Sequence, residues 1–267
     1  MRERTYRSGT PDAVRWRAFS PKPARQRLRL TLVFVVVTLG AQQPSAHAAA
    51  PRSPSPVAIG ILARSPDGWA KVPVYRTRGD TKTFTSLGET GGPPPVVLVT
   101  EPPVDGWAHV LLPIRDQPAS PGPATGWVST DGISLNDAPY RVDVLVAKHR
   151  VVVTRNGQTI RTMPAATGRH DTPTPAVVSF VVGINKPIVA QQANSPLGPF
   201  TLHLAAWSTV LPDYTVDPAW HGIVIQGTNC PTTCLGRSIT NGSVRVSNNN
   251  VTWLARNLPV GTPVTIR

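Results

Sequence analysis

Two cysteines in 267 residues exclude a disulfide-stapled scaffold and a cluster-type thiolate metal site. They stand four apart, at Cys230 and Cys234, so no C-x-x-C pair occurs, and H-E-x-x-H is missing as well. Also missing are the glycine patterns of dinucleotide and P-loop phosphate sites and the G-x-S-x-G elbow of serine hydrolases. No metal and no cofactor is therefore expected. Aromatics make up 6% of the chain, and 14 Asp/Glu face 27 Lys/Arg, a formal net charge of +13. No apolar run reaches the roughly 20 residues of a comfortable membrane span. The strongest run, Leu30–Ala41, is LTLVFVVVTLGA.

Where the charge sits decides what it means. Residues 1–48 carry nine of the basic residues, from Arg2 to Arg29, against only Glu3 and Asp12. The remaining excess is small and unclustered, which argues against a nucleic-acid partner and fits a mild attraction to an anionic wall. A basic stretch, an apolar run and then Ala46-His47-Ala48 is the layout of an export signal. Residues 1–48 thus read as a signal peptide or, if uncleaved, an N-terminal membrane anchor, and the protein as secreted or held in the cell envelope. In that oxidising compartment an even pair of cysteines reads most simply as a local Cys230–Cys234 disulfide. The alternative is a thiol nucleophile served by His221. His221 also reads as a cap on the turn before its strand.

Thirty prolines and 21 glycines predict many turns and little helix. Ala49–Pro56 is a Pro/Ser-rich tether. From Val57 the pattern becomes short β segments: Val57–Ala63, Ala70–Tyr75, Thr83–Leu87, Val96–Thr100, Trp107–Pro113 and Gly126–Ser129. Turn signals such as Pro66-Asp67-Gly68 and Asp105-Gly106 separate them. Residues 57–136 are expected to form a small β barrel. The pairs Gly106-Trp107 and Gly126-Trp127 are similar to those of bacterial SH3-like modules. Trp69, Trp107 and Trp127 read as core packing, with a glycan- or peptide-stacking surface as the alternative. Arg115–Pro123 is a Pro-rich excursion, and Asp131–Pro139 reads as a linker.

The second half, residues 139–267, opens with Tyr140–Ala147 and Arg150–Arg155, then turns at Asn156-Gly157, a strong hairpin signal, into Gln158–Pro164. Ala176–Val182 reads as plain β-branched core, and Leu197–Leu204 as a middle strand in which His203 reads as a satisfied, partly buried histidine that could instead face the site. Ile223-Val224-Ile225 then leads into a polar loop, and the chain re-forms as a strand at Ser238–Val246 around Asn241-Gly242, before a short helix and a closing strand.

Ile223-Val224-Ile225, Gly227-Thr228-Asn229, Pro231, Leu235-Gly236, Gly242, Arg245, Asn248 and Val260-Gly261-Thr262-Pro263-Val264 keep the frame of a known signature. It reads approximately I-x-I-H-G-T-N-x-P, L-G, S-H-G-C-I-R-M-x-N and V-G-T-P-V. Residues 139–267 therefore resemble the L,D-transpeptidase family with its YkuD-type catalytic domain. The resemblance implies a mainly β chain: the SH3-like barrel, then an L,D-transpeptidase-type β-sandwich with one short helix.

At three positions the residues differ from the signature. Gln226 and Asn241 stand where the family has histidines, and Ser243 where it has its nucleophilic cysteine. A cysteine suits that role because its pKa of roughly 8.5 is readily lowered by an imidazole. A serine hydroxyl needs a general base, and carboxamides do not accept protons near neutral pH. The residues predict a silenced acyl-transfer site at Ser243, Asn241 and Gln226, surrounded by Gly227, Thr240, Gly242 and Arg245 as substrate contacts. Ser243 alternatively reads as a hydroxyl satisfied by its own turn, and Arg245 as either a retained anion contact or a structural salt bridge. Two functions follow from the resemblance. One is a catalytically degenerate envelope protein that binds peptidoglycan stem peptides. The other is an active acyltransferase making 3→3 cross-links through Ser243 or a nearby cysteine.

Overall fold

A computed structural model describes residues 58–62, 64–65, 68–69, 71–88, 95–187, 195–211, 222–230 and 232–267. The expected leader and tether, His221 and the side chain of Trp69 lie outside the described residues. In the first half the strands are β1 (Ala58–Leu62), β2 (Arg64–Ser65), β3 (Gly68–Trp69), β4 (Val72–Tyr75), β5 (Thr83–Leu87), β6 (Val96–Val99), β7 (Trp107–Arg115), β8 (Pro123–Ser129) and β9 (Ile133–Asp137). The second half holds β10 (Tyr140–Leu145), β11 (Arg150–Arg155), β12 (Gln158–Pro164), β13 (Thr167–Gly168), β14 (Val177–Asn185), β15 (Thr201–Leu204), β16 (Val224–Gln226), β17 (Ser238–Thr240) and β18 (Val244–Arg245). The helix α1 (Asn248–Asn257) and the closing strand β19 (Pro263–Ile266) follow. The chain is mainly β, as its turn-rich composition predicts.

Seven strands of the first half form one antiparallel sheet in the order β5-β4-β8-β7-β6-β1-β9. It stands where a small barrel was expected. Its last member corrects the linker reading of Asp131–Pro139. Five residues of that stretch pair with β1, Leu135 opposite Gly60, because β1 otherwise leaves one edge of its backbone unpaired. Period-two alternation then sorts the side chains. Val97, Val99, Ala108, Val110, Leu112 and Val128 fill a core on one face. On the other face, Ile59, Val96, Leu98 and Leu111 pack against Phe180, Ala205 and Trp207 of the second half. All four residues of β6 are therefore buried, odd positions in one core and even positions in the other.

The Pro-rich excursion between β7 and β8 closes over the same junction. The Arg115 guanidinium donates to the Ser208 carbonyl (2.8 Å), and the Trp207 amide donates to the Pro121 carbonyl (2.9 Å).

Eight strands of the second half follow the order β12-β11-β10-β19-β14-β15-β16-β18. β14 makes this one sheet behave as two layers. Val177–Phe180 pair with β19, whereas Val181–Asn185 pair with β15, and the register slips between Val181 and Gly183. A strand that changes partners at an irregularity is how a sandwich turns its corner. Val144, Val153, Met163, Val181, Leu202, Ile225, Val264 and the α1 residues Val251 and Leu254 fill the space between the layers. Ala176–Val182 is thus not a single core segment. Phe180 packs toward the first half, with Val178 and Val182 partly buried beside it, while Val181 faces the sandwich interior.

Candidate functional site

The expected strand through Ser238–Val246 is two strands with different partners. β17 pairs in parallel with β13, Thr167 opposite Ser238, whereas β18 pairs in parallel with β16, Gln226 opposite Arg245. Between them runs the turn Asn241-Gly242-Ser243. Gly242 adopts φ +108°, a conformation that side chains disfavour. The turn is held from both sides. Thr240 Oγ1 donates to the Ser243 carbonyl and accepts from the Gly242 amide (3.2 Å), and Thr172 Oγ1 donates to the Thr240 carbonyl (3.1 Å). The Arg169 guanidinium donates to Asn241 Oδ1. A Cβ at Gly168 would stand 2.3 Å from the Thr174 nitrogen and 2.4 Å from the Thr172 oxygen, so a glycine is required where the T-P-T-P segment crosses β13.

Gln226 ends β16, opposite Thr201 of β15 and beside Arg245 of β18. Residues paired directly across strands share a face. Leu202, Ile225 and Val244 occupy the opposite face, in the sandwich core. The outer face thereby collects Gln226, Thr201, His203 and Arg245, with Ser243 immediately before β18. Gln226 is 2% exposed, Ser243 5% and His203 4%. His203 Nε2 lies 3.1 Å from Thr201 Oγ1, a hydrogen bond within its own strand. Gln226 Nε2 donates to the Pro196 carbonyl (3.2 Å), which fixes the amide under the segment that leads into β15.

Four buried side-chain polar atoms among the described residues have no hydrogen-bond partner: Ser179 Oγ, Gln226 Oε1, Ser243 Oγ and Arg245 Nε. Three of the four belong to this one corner of the sheet. Ser243 is accordingly not satisfied by its own turn, which corrects one of its two readings. Arg245 forms no ion pair among the described residues, so the salt-bridge reading fails too. Burial without a partner costs a polar group about 1–3 kcal/mol, so native folds rarely leave one in place, let alone three together.

Gly227 sits against the loop before β15: a Cβ there would be 2.9 Å from the Gly198 Cα. Beyond it, the Thr228 amide donates to Asn248 Oδ1 (2.9 Å) at the start of α1, and the Cys230 amide donates to Thr228 Oγ1 (3.0 Å). Cys230 and Cys234 are joined to each other, leaving no free thiol. Arg169 and Pro196 are contacts that sequence reasoning missed. The T-P-T-P turn was a usable signal for the loop that carries Arg169; nothing marked Pro196.

The arrangement is a mainly β scaffold whose glycine-serine turn lies beside a strand-end amide. The family model described as the L,D-transpeptidase catalytic domain, YkuD, matches residues 139–266. L,D-transpeptidase 1 of Mycobacterium tuberculosis is 25% identical over 138 residues, which cover 51% of this chain and 53% of that protein. YkuD of Bacillus subtilis is 28% identical over 128 residues, 48% of this chain and 66% of that protein. The chain thus matches about half the length of the first relative. Among solved structures, an L,D-transpeptidase from Mycobacterium tuberculosis aligns with 65% of this chain at a TM-score of 0.43 and 13% identity, covering 90% of that chain. One from Mycobacterium smegmatis aligns with 65% of this chain at a TM-score of 0.40 and 18% identity. Residues 139–266 thus form an L,D-transpeptidase-type (YkuD) domain.

Proposed function

We propose that this is an exported cell-envelope protein whose L,D-transpeptidase-like domain holds peptidoglycan stem peptides without turning them over. The observation that carries the binding is the group of unsatisfied atoms at Gln226, Ser243 and Arg245. Together they offer an acceptor, a hydroxyl that can do either, and a cationic donor. A peptide presents the complements: amide N–H groups, carbonyls and a carboxylate. Thr240 and Gly242 hold the turn that carries Ser243, and Gly227 follows Gln226 at the end of β16, so these three flank the same group.

The absence of turnover follows from proton bookkeeping. Attack by Ser243 Oγ requires a base to take its proton, and the two polar neighbours at the family's histidine positions are carboxamides. His203, the imidazole described on this face, is hydrogen-bonded to Thr201. A relocated thiol is unavailable while Cys230 and Cys234 are bonded to each other. Export is supported by the charge and apolar layout of residues 1–48, and mild basicity suits an anionic wall.

Intact-mass spectrometry after incubation with a carbapenem, beside calorimetry with a stem tetrapeptide, tests the reading. Reversible tetrapeptide binding with no mass increase is expected. A stable adduct on Ser243 would make the protein an active acyltransferase instead, and absence of both signals would remove the peptide-binding reading.

A further inference from the structure

The N-terminal sheet carries a second feature, which does not depend on the stem-peptide reading. In β7, alternation sends Ala108, Val110 and Leu112 into the core, which leaves Trp107 and His109 on the opposite face. In β8, Ala124 and Val128 point inward, and Gly126 lies so close to Val74 that a Cβ would meet its Cγ1 at 2.4 Å. Trp127 therefore faces outward. Neither Trp107 nor Trp127 enters a hydrophobic core; both are partly buried with ring surface left accessible, which corrects the core-packing reading.

Register brings these rings together. Trp127 stands opposite both Tyr75 and His109. The His109 ring lies over Trp127 with centroids 4.9 Å apart, and Tyr75 meets Trp107 edge-on at 5.5 Å. Polar groups border the row: His109 Nδ1 is 3.0 Å from Thr100 Oγ1 and 3.6 Å from Glu101 Oε1. The row continues the face that, two residues further along β7, is buried at Leu111 beneath the second half. That junction fixes the platform to the domain carrying the peptide site.

We infer that Tyr75, Trp107, His109 and Trp127 form a saccharide-binding platform for a neutral pyranose chain. An aromatic face carries negative charge density and attracts the polarised C–H groups of a sugar ring, while the sugar's edge hydroxyls need donors and acceptors beside the ring. His109, Thr100 and Glu101 supply them. Charge selects against a nucleic acid, whose bases also stack. Arg76 and Arg78, the arginines that follow Tyr75 among the described residues, are paired with Asp116 and Asp105, which weakens any attraction to a phosphate backbone along the row.

Calorimetry of the whole protein with chitohexaose, a peptide-free N-acetylglucosamine chain, tests this. Saturable binding is expected, weakened at least tenfold in Trp127→Ala and in Trp107→Ala and largely kept in Trp127→Phe, which preserves a stacking face. Circular dichroism of each variant verifies the fold, and tetrapeptide binding should stay unchanged. Wild-type affinity in both alanine variants, or no binding of chitohexaose by the wild type, overturns the platform. So does preferential binding of single-stranded oligonucleotide at these same rings. Loss of tetrapeptide binding in a Gln226 variant leaves the chitohexaose signal in place, so the two sites fail separately.

Discussion

Replacing Ser243 with alanine should make the ligand-free protein more stable, contrary to the usual effect of a buried substitution. The hydroxyl is 5% exposed and has no partner. Removing it recovers a desolvation penalty of about 1–3 kcal/mol. The void left by one oxygen, roughly 10 Å³ at about 24 cal/mol per Å³, takes back only ~0.2 kcal/mol. A net gain of about 1–2.5 kcal/mol corresponds to a melting temperature raised by roughly 2–10 °C for a folded unit of this size. Ligand should reverse the order of benefit. Tetrapeptide at a hundred times its Kd adds about 2.7 kcal/mol to the wild type. The variant, lacking one peptide contact worth about 0.5–1.5 kcal/mol, should bind several-fold more weakly. Differential scanning calorimetry of both proteins, with and without tetrapeptide, provides all four numbers. A variant that melts at or below the wild-type temperature without ligand would show that the hydroxyl is satisfied in the folded protein, and the binding argument built on it would fail.

Ser243→Cys alone should not yield 3→3 cross-links, because a thiol of pKa roughly 8.5 beside two carboxamides lacks the imidazole that would ionise it. The carbapenem adduct should first appear when Gln226→His and Asn241→His accompany it, as read by intact mass; robust turnover by the single variant would contradict the proton argument. Gly168→Ala forces a Cβ into backbone atoms at 2.3–2.4 Å and should destabilise by at least about 1–3 kcal/mol, with loss of tetrapeptide binding as the Thr172–Thr174 segment shifts. Reduction of Cys230–Cys234 should cost about 2 kcal/mol by loop-closure entropy over its four-residue separation. Urea titrations with and without dithiothreitol measure that figure.

Much of the strand plan was legible, because turn signals bound nearly every β segment and alternation marks their faces. Gln226, Asn241, Gly242, Ser243 and Arg245 could be placed because a local signature surrounds them. The misreadings share a cause: each depends on what a segment meets far away in sequence. Ile133–Asp137 has one buried residue in five, yet β1 recruits it as an edge. The Val177–Asn185 run does not disclose that its partner changes at Val181, since both partners lie outside the window. Trp107 and Trp127 each sit one residue before a core residue, Ala108 and Val128, so alternation turns both rings to the other face. That Ser243 lacks a hydrogen bond is a fact about three dimensions alone.

Val96–Val99 has one further implication. A segment of four residues seals the interior of the first sheet with Val97 and Val99 and the boundary with the second half through Val96 and Leu98. Neither half can then come apart while the other keeps its complement of contacts, so heat or denaturant should produce a single transition rather than two. A signal from tetrapeptide binding on one half should consequently protect amide protons on the other, with β6 among the slowest to exchange.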